Sequence, residues 1–152
     1  MATRIPAPFL AHLLDQVGSL HAMLLDTDFI YASDLDFVAD VSSQETDASG
    51  YSRVSLPTMA SAQVLNVAEP FASLVGSSEA AVSLSFTLET GKSVGALVIY
   101  EGTVDSADDA TNRIVAVYDQ TQGQPDFPYT SDGETLVVKF NAQGILHLKS
   151  DA

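Results

Sequence analysis

The sequence predicts an all-β protein, an antiparallel β-sandwich or jelly-roll-like barrel with a short N-terminal helical arm. Three observations predict it. Val82, Leu84, Phe86 and Leu88 alternate with Ser83, Ser85, Thr87 and Glu89, the period of a strand with one face in a core. Val94 to Tyr100 and Arg113 to Asp119 are short runs rich in β-branched and aromatic residues. Roughly eight such segments, closely spaced and separated by Gly, Asp, Asn or Pro, are the signature of a sandwich or barrel.

Taken in order, Phe9, Leu10, Leu13, Leu14 and Val17 place an apolar stripe on a helix over Phe9 to Val17. Pro8 stands near its start and Gly18 just past its end. Residues 1–18 therefore read as an arm and 19–152 as the sandwich domain. Leu20 to Leu25 reads as a strand closed by the turn Asp26-Thr27-Asp28. Ser33-Asp34-Leu35-Asp36 fits a capping box and predicts a helical turn over Leu35 to Ala39. Ser42 to Gly50 is polar and reads as a loop, Arg53 to Leu56 alternate as a strand, and Gln63 to Val67 is a second, weaker strand. Thr90-Gly91-Lys92-Ser93 reads as a hairpin turn leading into the strand Val94 to Tyr100. Gly102 to Asn112 is an acidic connection, and Gln120 to Gly133, with Pro125 and Pro128, reads as irregular and exposed. Thr135 to Phe140 and Ile145 to Ser150, joined by Asn141-Ala142-Gln143-Gly144, read as a closing hairpin. Tyr100 and Tyr118 end two apolar strands, where a buried ring with its hydroxyl in water is expected.

Composition narrows the function classes. At 152 residues and 46% hydrophobic, the chain fits one domain that buries a core without staples. It has no cysteine, which excludes disulfides, thiol nucleophiles and thiolate metal sites. Six Lys and Arg face twenty Asp and Glu, for a formal charge of −14. Such a surface repels phosphates, so neither nucleic acid nor an anionic membrane is expected as a partner. No apolar run has the length or flanks of a signal peptide or a membrane helix, so synthesis in a cytoplasm is expected.

Residues that could carry chemistry are sparse. Gly91-Lys92-Ser93 ends like a phosphate-binding loop, but Phe86 stands where that loop needs its first glycine, and a strand follows instead of a helix. The acidic runs hold the calcium candidates Asp26, Asp28, Asp105 and Asp108, beside Asp34, Asp36 and Asp109. Ile30 and Tyr31 occupy a ligand and the glycine position of a helix–loop–helix calcium site, so these carboxylates read first as solvated turn formers. His12, His21 and His147 fall on different elements without the spacing of a helical metal pair. Gly76-Ser77-Ser78-Glu79-Ala80 lacks the closing glycine of a nucleophile elbow. No catalytic residue and no cofactor is predicted, and the chain does not read as an enzyme.

Gly50-Tyr51-Ser52-Arg53-Val54-Ser55-Leu56, Ala96 to Glu101, Ile114 to Asp119 and Asn141 to Leu146 follow one another in a set order. In that order they resemble segments of small structural proteins of tailed bacteriophages. Met23-Leu24-Leu25-Asp26, Phe37-Val38-Ala39-Asp40-Val41 and Glu45 are also similar. The resemblance spans roughly residues 20–150 and implies a virion structural protein with no catalytic residue to carry across. The expected role is a cement protein that decorates the capsid, with the major capsid protein as partner. It would sit on the virion surface as a homotrimer at three-fold positions. Contacts are expected from the arm, through Phe9, Leu10, Leu13 and Leu14, and from the loop Gln120 to Gly133, through Phe127 and Tyr129. A tail, neck or fibre adaptor is the alternative. A calcium- or carbohydrate-binding sandwich is more distant, and the absence of Trp disfavours a sugar-stacking groove.

Overall fold

Pro6 caps the first helix and Pro8 sits in its first turn, where a missing N–H costs nothing. The structure, a computed structural model, describes residues 6–64, 71–76, 82–119, 127–140 and 146–149. Its elements are α1 (Ala7–Leu14), β1 (Leu20–Leu25), β2 (Val54–Ser55), β3 (Met59–Val64), β4 (Phe71–Gly76) and β5 (Ser83–Phe86), followed by β6 (Ser93–Val94), β7 (Ala96–Glu101), β8 (Arg113–Asp119), β9 (Tyr129–Thr130), β10 (Leu136–Lys139) and β11 (Leu146–Lys149). Short 3-10 turns cover Val38–Asp40, Ser42–Gln44 and Ser106–Asp108. The described chain is mostly β, with one short helix and several small antiparallel sheets, and no barrel closes among the described residues.

The chain divides into two compact units. One comprises Met1–Gly18, Leu56–Ser83 and Val138–Ala152, the other Ser19–Ser55 and Leu84–Val137. In the first, β4 lies between β11 and β3, and α1 packs on all three strands. Ala7, Leu10, Ala11 and Leu14 recur at helical spacing and are buried. Burying Leu10 and Leu14 contributes roughly 1.5–3 kcal/mol each, so the helix is part of this unit's core. It begins two residues before the expected Phe9 and ends at Leu14. Val17 N–H continues for one tighter turn, donating to Leu14 O at 3.1 Å.

The second unit is built on the sheet β2-β1-β7-β8, antiparallel throughout. All six residues of β1 are buried, as are Ala96 to Tyr100 of β7. Leu20-His21-Ala22-Met23-Leu24-Leu25 can therefore be apolar without alternating, because both faces of a central strand are covered. On one face Met23, Leu25, Ala96, Val98, Tyr100 and Val117 pack with Val38 and Val41 from the turns after β1, and Phe29, Leu35 and Ile114 border them. A bulge in β8 pairs Ile99 with Ala116 but Tyr100 with Ile114. The extra residue, Val115, keeps Ile114 on the core face beside Tyr100.

Local close approaches set the boundaries. The expected strand from Val94 to Tyr100 is split at Gly95, where the backbone of Asp26 and Thr27 crosses. A Cβ there would lie 2.8 Å from Asp26 O, and Gly95 N–H donates to Leu25 O at 2.8 Å. β6 pairs with β9, so Thr90-Gly91 is a turn but does not join two mutually paired strands. The expected helical turn over Leu35 to Ala39 forms later, over Val38–Asp40. Its cap is the Asp40 carboxylate, which accepts from Asp36 N at 3.0 Å and Phe37 N at 2.9 Å. Those two N–H bonds hold the Asp40 carboxyl below its ordinary pKa.

The expected closing hairpin is not what the strands form. β10 pairs with β5, while β11 pairs with β4 in the register Leu146↔Leu74 to Lys149↔Phe71. Asn141 to Gly144 lie outside the described residues. Turn chemistry permits a hairpin, but each strand took a non-local partner instead. The alternation expected around Phe86 holds, with Val82, Leu84, Phe86 and Leu88 buried and Ser83, Ser85, Thr87 and Glu89 exposed. Gln63 and Val64 fall in β3, and residues 65–67 lie outside the described ones.

Candidate functional site

The densest polar constellation among the described residues grows from Gly50-Tyr51-Ser52-Arg53. Gly50 has φ +79°, a left-handed turn that favours glycine, and a Cβ there would press on Thr87 at 3.2 Å. The turn aims Tyr51 and Arg53 inward. The Tyr51 hydroxyl accepts from Leu24 N at 3.0 Å and donates to Glu45 Oε1 at 2.9 Å. Its ring stacks on Phe86, with centroids 6.3 Å apart. Arg53 grips two carboxylates, each with a two-pronged fork. Nε and Nη2 donate to Glu45 at 2.8 and 2.7 Å, while Nη1 and Nη2 donate to Asp109 at 2.6 and 2.9 Å. The guanidinium also lies 5.6 Å from the centroid of the Tyr100 ring.

This cluster is nearly dry. The Arg53 side chain is 6% exposed, and those of Glu45 and Asp109 are 20% and 10% exposed. Hydrogen bonds to Glu45, then to Asp109, hold the guanidinium protonated far above its ordinary value. Burial, reinforced by the Glu45 charge, pushes the Tyr51 hydroxyl up as well. Tyr100 is fully buried, which overturns the expectation of a hydroxyl in water. Burial raises its pKa, with Arg53 opposing. Tyr118 is pushed up to about 12 by burial alone. With its hydrogen-bonding groups turned on one another, the cluster works as a clamp: it ties the segment before β2 to the connection between β7 and β8.

A second polar tie lies on the same sheet. His21 Nε2–H donates to Gly102 O at 2.9 Å, and Nδ1 shares a hydrogen bond with Ser55 Oγ at 3.0 Å. Gly102, at φ +138°, is fixed by Asn112, whose Oδ1 would lie 2.0 Å from an added Cβ. The Asn112 amide spans the connection, accepting from Thr103 N at 2.9 Å and donating to Thr103 O at 3.1 Å.

The acidic candidates do local work. Asp105 caps a 3-10 turn by accepting from Ala107 N at 2.9 Å, and Asp108 accepts from Thr103 Oγ1 at 2.7 Å. Asp26 lies 3.6 Å from Lys92 Nζ, and Lys92 also pairs with Asp47. That pairing lowers the Asp47 pKa and raises that of Lys92. Asp28 is exposed in the turn after β1. Among the described residues no three His, Asp or Glu side chains converge on a point that could hold a metal. His12 is exposed beside Phe9 on α1, His21 is on β1, and His147 is on β11 opposite Ser73.

The expected contact residues separate by burial. Leu10 and Leu14 are buried under α1, and Phe127 is buried too. Tyr129 is half-buried in β9, so the part of Gln120 to Gly133 that is described carries a strand and an inward aromatic ring. Phe9 and Leu13, one turn apart on the outer face of α1, remain 52% and 41% exposed. The Arg53 clamp was not anticipated. A rare cation at the start of the expected strand Arg53 to Leu56 was its one sequence signal, in a chain with only six Lys and Arg.

No protein-family profile, no curated protein and no solved structure matches this chain. No helix among the described residues is long and apolar enough to cross a membrane.

Proposed function

We propose that this chain is a structural protein of a tailed-phage particle that binds the capsid shell as cement. One observation carries the reading. Three of the segments behind the resemblance hold the framework among the described residues: Gly50 makes the turn, Tyr51 bonds Glu45 while Arg53 grips Glu45 and Asp109, and β7 and β8 lie side by side in the sheet. A rigid scaffold that presents surfaces is what decoration requires. The fold proposed with it is a sandwich, since a sheet buried on both faces needs a layer on each side. Phe9 and Leu13 of α1 are the proposed apolar contacts with the major capsid protein. Each would gain by leaving water at the seam, so that opening the shell also breaks decoration contacts. The chain is proposed to act as a homotrimer at three-fold positions of the virion surface.

Quantitative mass spectrometry of purified particles tests the reading. Copies in the hundreds per particle fit a cement protein, and a few to dozens would move the chain to the tail or neck. Absence from purified particles would refute both.

A further inference from the structure

Between β1 and the first 3-10 turn the chain leaves the core and returns to it. Phe29 and Leu35 both pack against the core cluster. Between them Ile30, Tyr31, Ala32, Ser33 and Asp34 are exposed, Ile30 at 84% and Tyr31 at 46%. A lone exposed apolar residue is ordinary. An Ile–Tyr pair held between two half-buried anchors that pack on the core is a different feature, because anchoring both ends leaves less freedom to be lost when it binds. The acids around it are unequal. At the base, Asp26 lies beside Lys92 and Asp36 pairs with Arg113, whose guanidinium also covers the Phe37 ring at 4.7 Å. At the tip, Asp28 and Asp34 have no ion pair among the described residues. The protein thus neutralises the base of this projection and leaves two carboxylates flanking its apolar point.

We propose that Asp28 to Asp34 is a docking finger whose Ile30 and Tyr31 seat in an apolar pocket on a protein partner, rimmed by Lys or Arg. A second copy of this chain is a poor occupant, since it brings a charge of −14 to an acidic tip. A cationic rim complements Asp28 and Asp34, and a buried Tyr beside an aliphatic residue is the usual centre of such a contact. The finger is separate from the α1 contacts proposed above and does not depend on the particle reading.

Photo-cross-linking in the full chain tests it. A benzoylphenylalanine replaces Ile30 in the cells where the protein is naturally made, and a control carries it at the exposed Val104. The expected result is an adduct to one partner segment that carries Lys or Arg beside the cross-linked position, well above the control. Ile30→Ser with Tyr31→Ser should then weaken binding to that partner by roughly thirtyfold or more. Asp28→Asn with Asp34→Asn should slow association several-fold at low salt and little at high salt. Both double variants should keep the wild-type thermal midpoint, since all four side chains are exposed. No adduct above the control, an adduct to a second copy, or a contact segment without cations would each overturn the inference. A cation-rimmed partner absent from particles would support the finger and leave the particle reading to the copy-number measurement. A chain bound to the shell with position 30 silent would overturn the finger and keep the particle reading.

Discussion

Replacing Arg53 with Met removes the clamp while keeping a long apolar stem in place. Glu45 and Asp109 then face one another in a nearly dry site with no counter-charge. Breaking a buried pair by removing one partner costs about 3–5 kcal/mol, because the remaining charge stays desolvated. Glu45 retains 20% exposure and can turn partly to water, which places the expected loss near the lower end, about 3 kcal/mol. For a chain of this size that lowers the melting temperature by roughly 6–12 °C. Urea unfolding at pH 7 and calorimetry read it out. A triple variant, Arg53→Met with Glu45→Gln and Asp109→Asn, should recover much of the loss, since no unpaired charge remains. The pair Arg113–Asp36 is the comparison, with side chains 54% and 50% exposed. Arg113→Gln should cost no more than about 1 kcal/mol, nearly all of it removed by salt. If Arg53→Met unfolds within about 1 kcal/mol of wild type, the clamp reasoning is wrong.

Tyr51→Phe deletes the hydroxyl that accepts from Leu24 N and donates to Glu45, and should cost about 1–3 kcal/mol by urea unfolding. Gly102→Ala puts a methyl 2.0 Å from Asn112 Oδ1 at φ +138°, so about 2 kcal/mol or more should be lost, with faster amide exchange at Thr103. Alkaline titration should show Tyr51, Tyr100 and Tyr118 neutral after ordinary tyrosines have ionised. A folded-state pKa above the unfolded one gives stability that is complete below about pH 10 and falls as pH rises toward 12 and beyond. Phenolate absorbance rising in a single step before any unfolding would contradict this. Asp40 and Asp47 run the other way: their depressed pKa values give stability above the ordinary carboxylate pKa that is lost on acidification below it. Amide exchange across residues 36–40 as the pH falls should report the Asp40 part.

The strands legible in the sequence are those whose own side chains record burial. β1 and β8 match their expected bounds, and the alternation around Phe86 gave its facing residue by residue. What could not be read was pairing. The closing segments carry hairpin chemistry, yet Leu136–Lys139 and Leu146–Lys149 pair with β5 and β4, and β4 itself was not anticipated. Partner choice depends on which distant edge is free, and no local window holds that information. Gly95 broke an apparently continuous strand because another backbone crosses it. The polar network was hidden for a similar reason. Glu45 and Arg53 lie only eight residues apart, but Asp109 is 56 residues beyond Arg53, and only the folded sheet brings it within hydrogen-bond reach. Leu10 and Leu14 had the right helical spacing for contact residues, but the spacing marked the face that α1 turns to its own sheet. Ile30 and Tyr31 first counted only as the residues that spoil a calcium loop.

Cryo-electron microscopy of purified particles tests the central claim most directly. The account expects density for this chain on the capsid shell, repeated at three-fold positions in copies numbering in the hundreds, with α1 turned toward the capsid surface. A shell free of this chain, in particles whose mass spectrum also lacks it, would contradict the account.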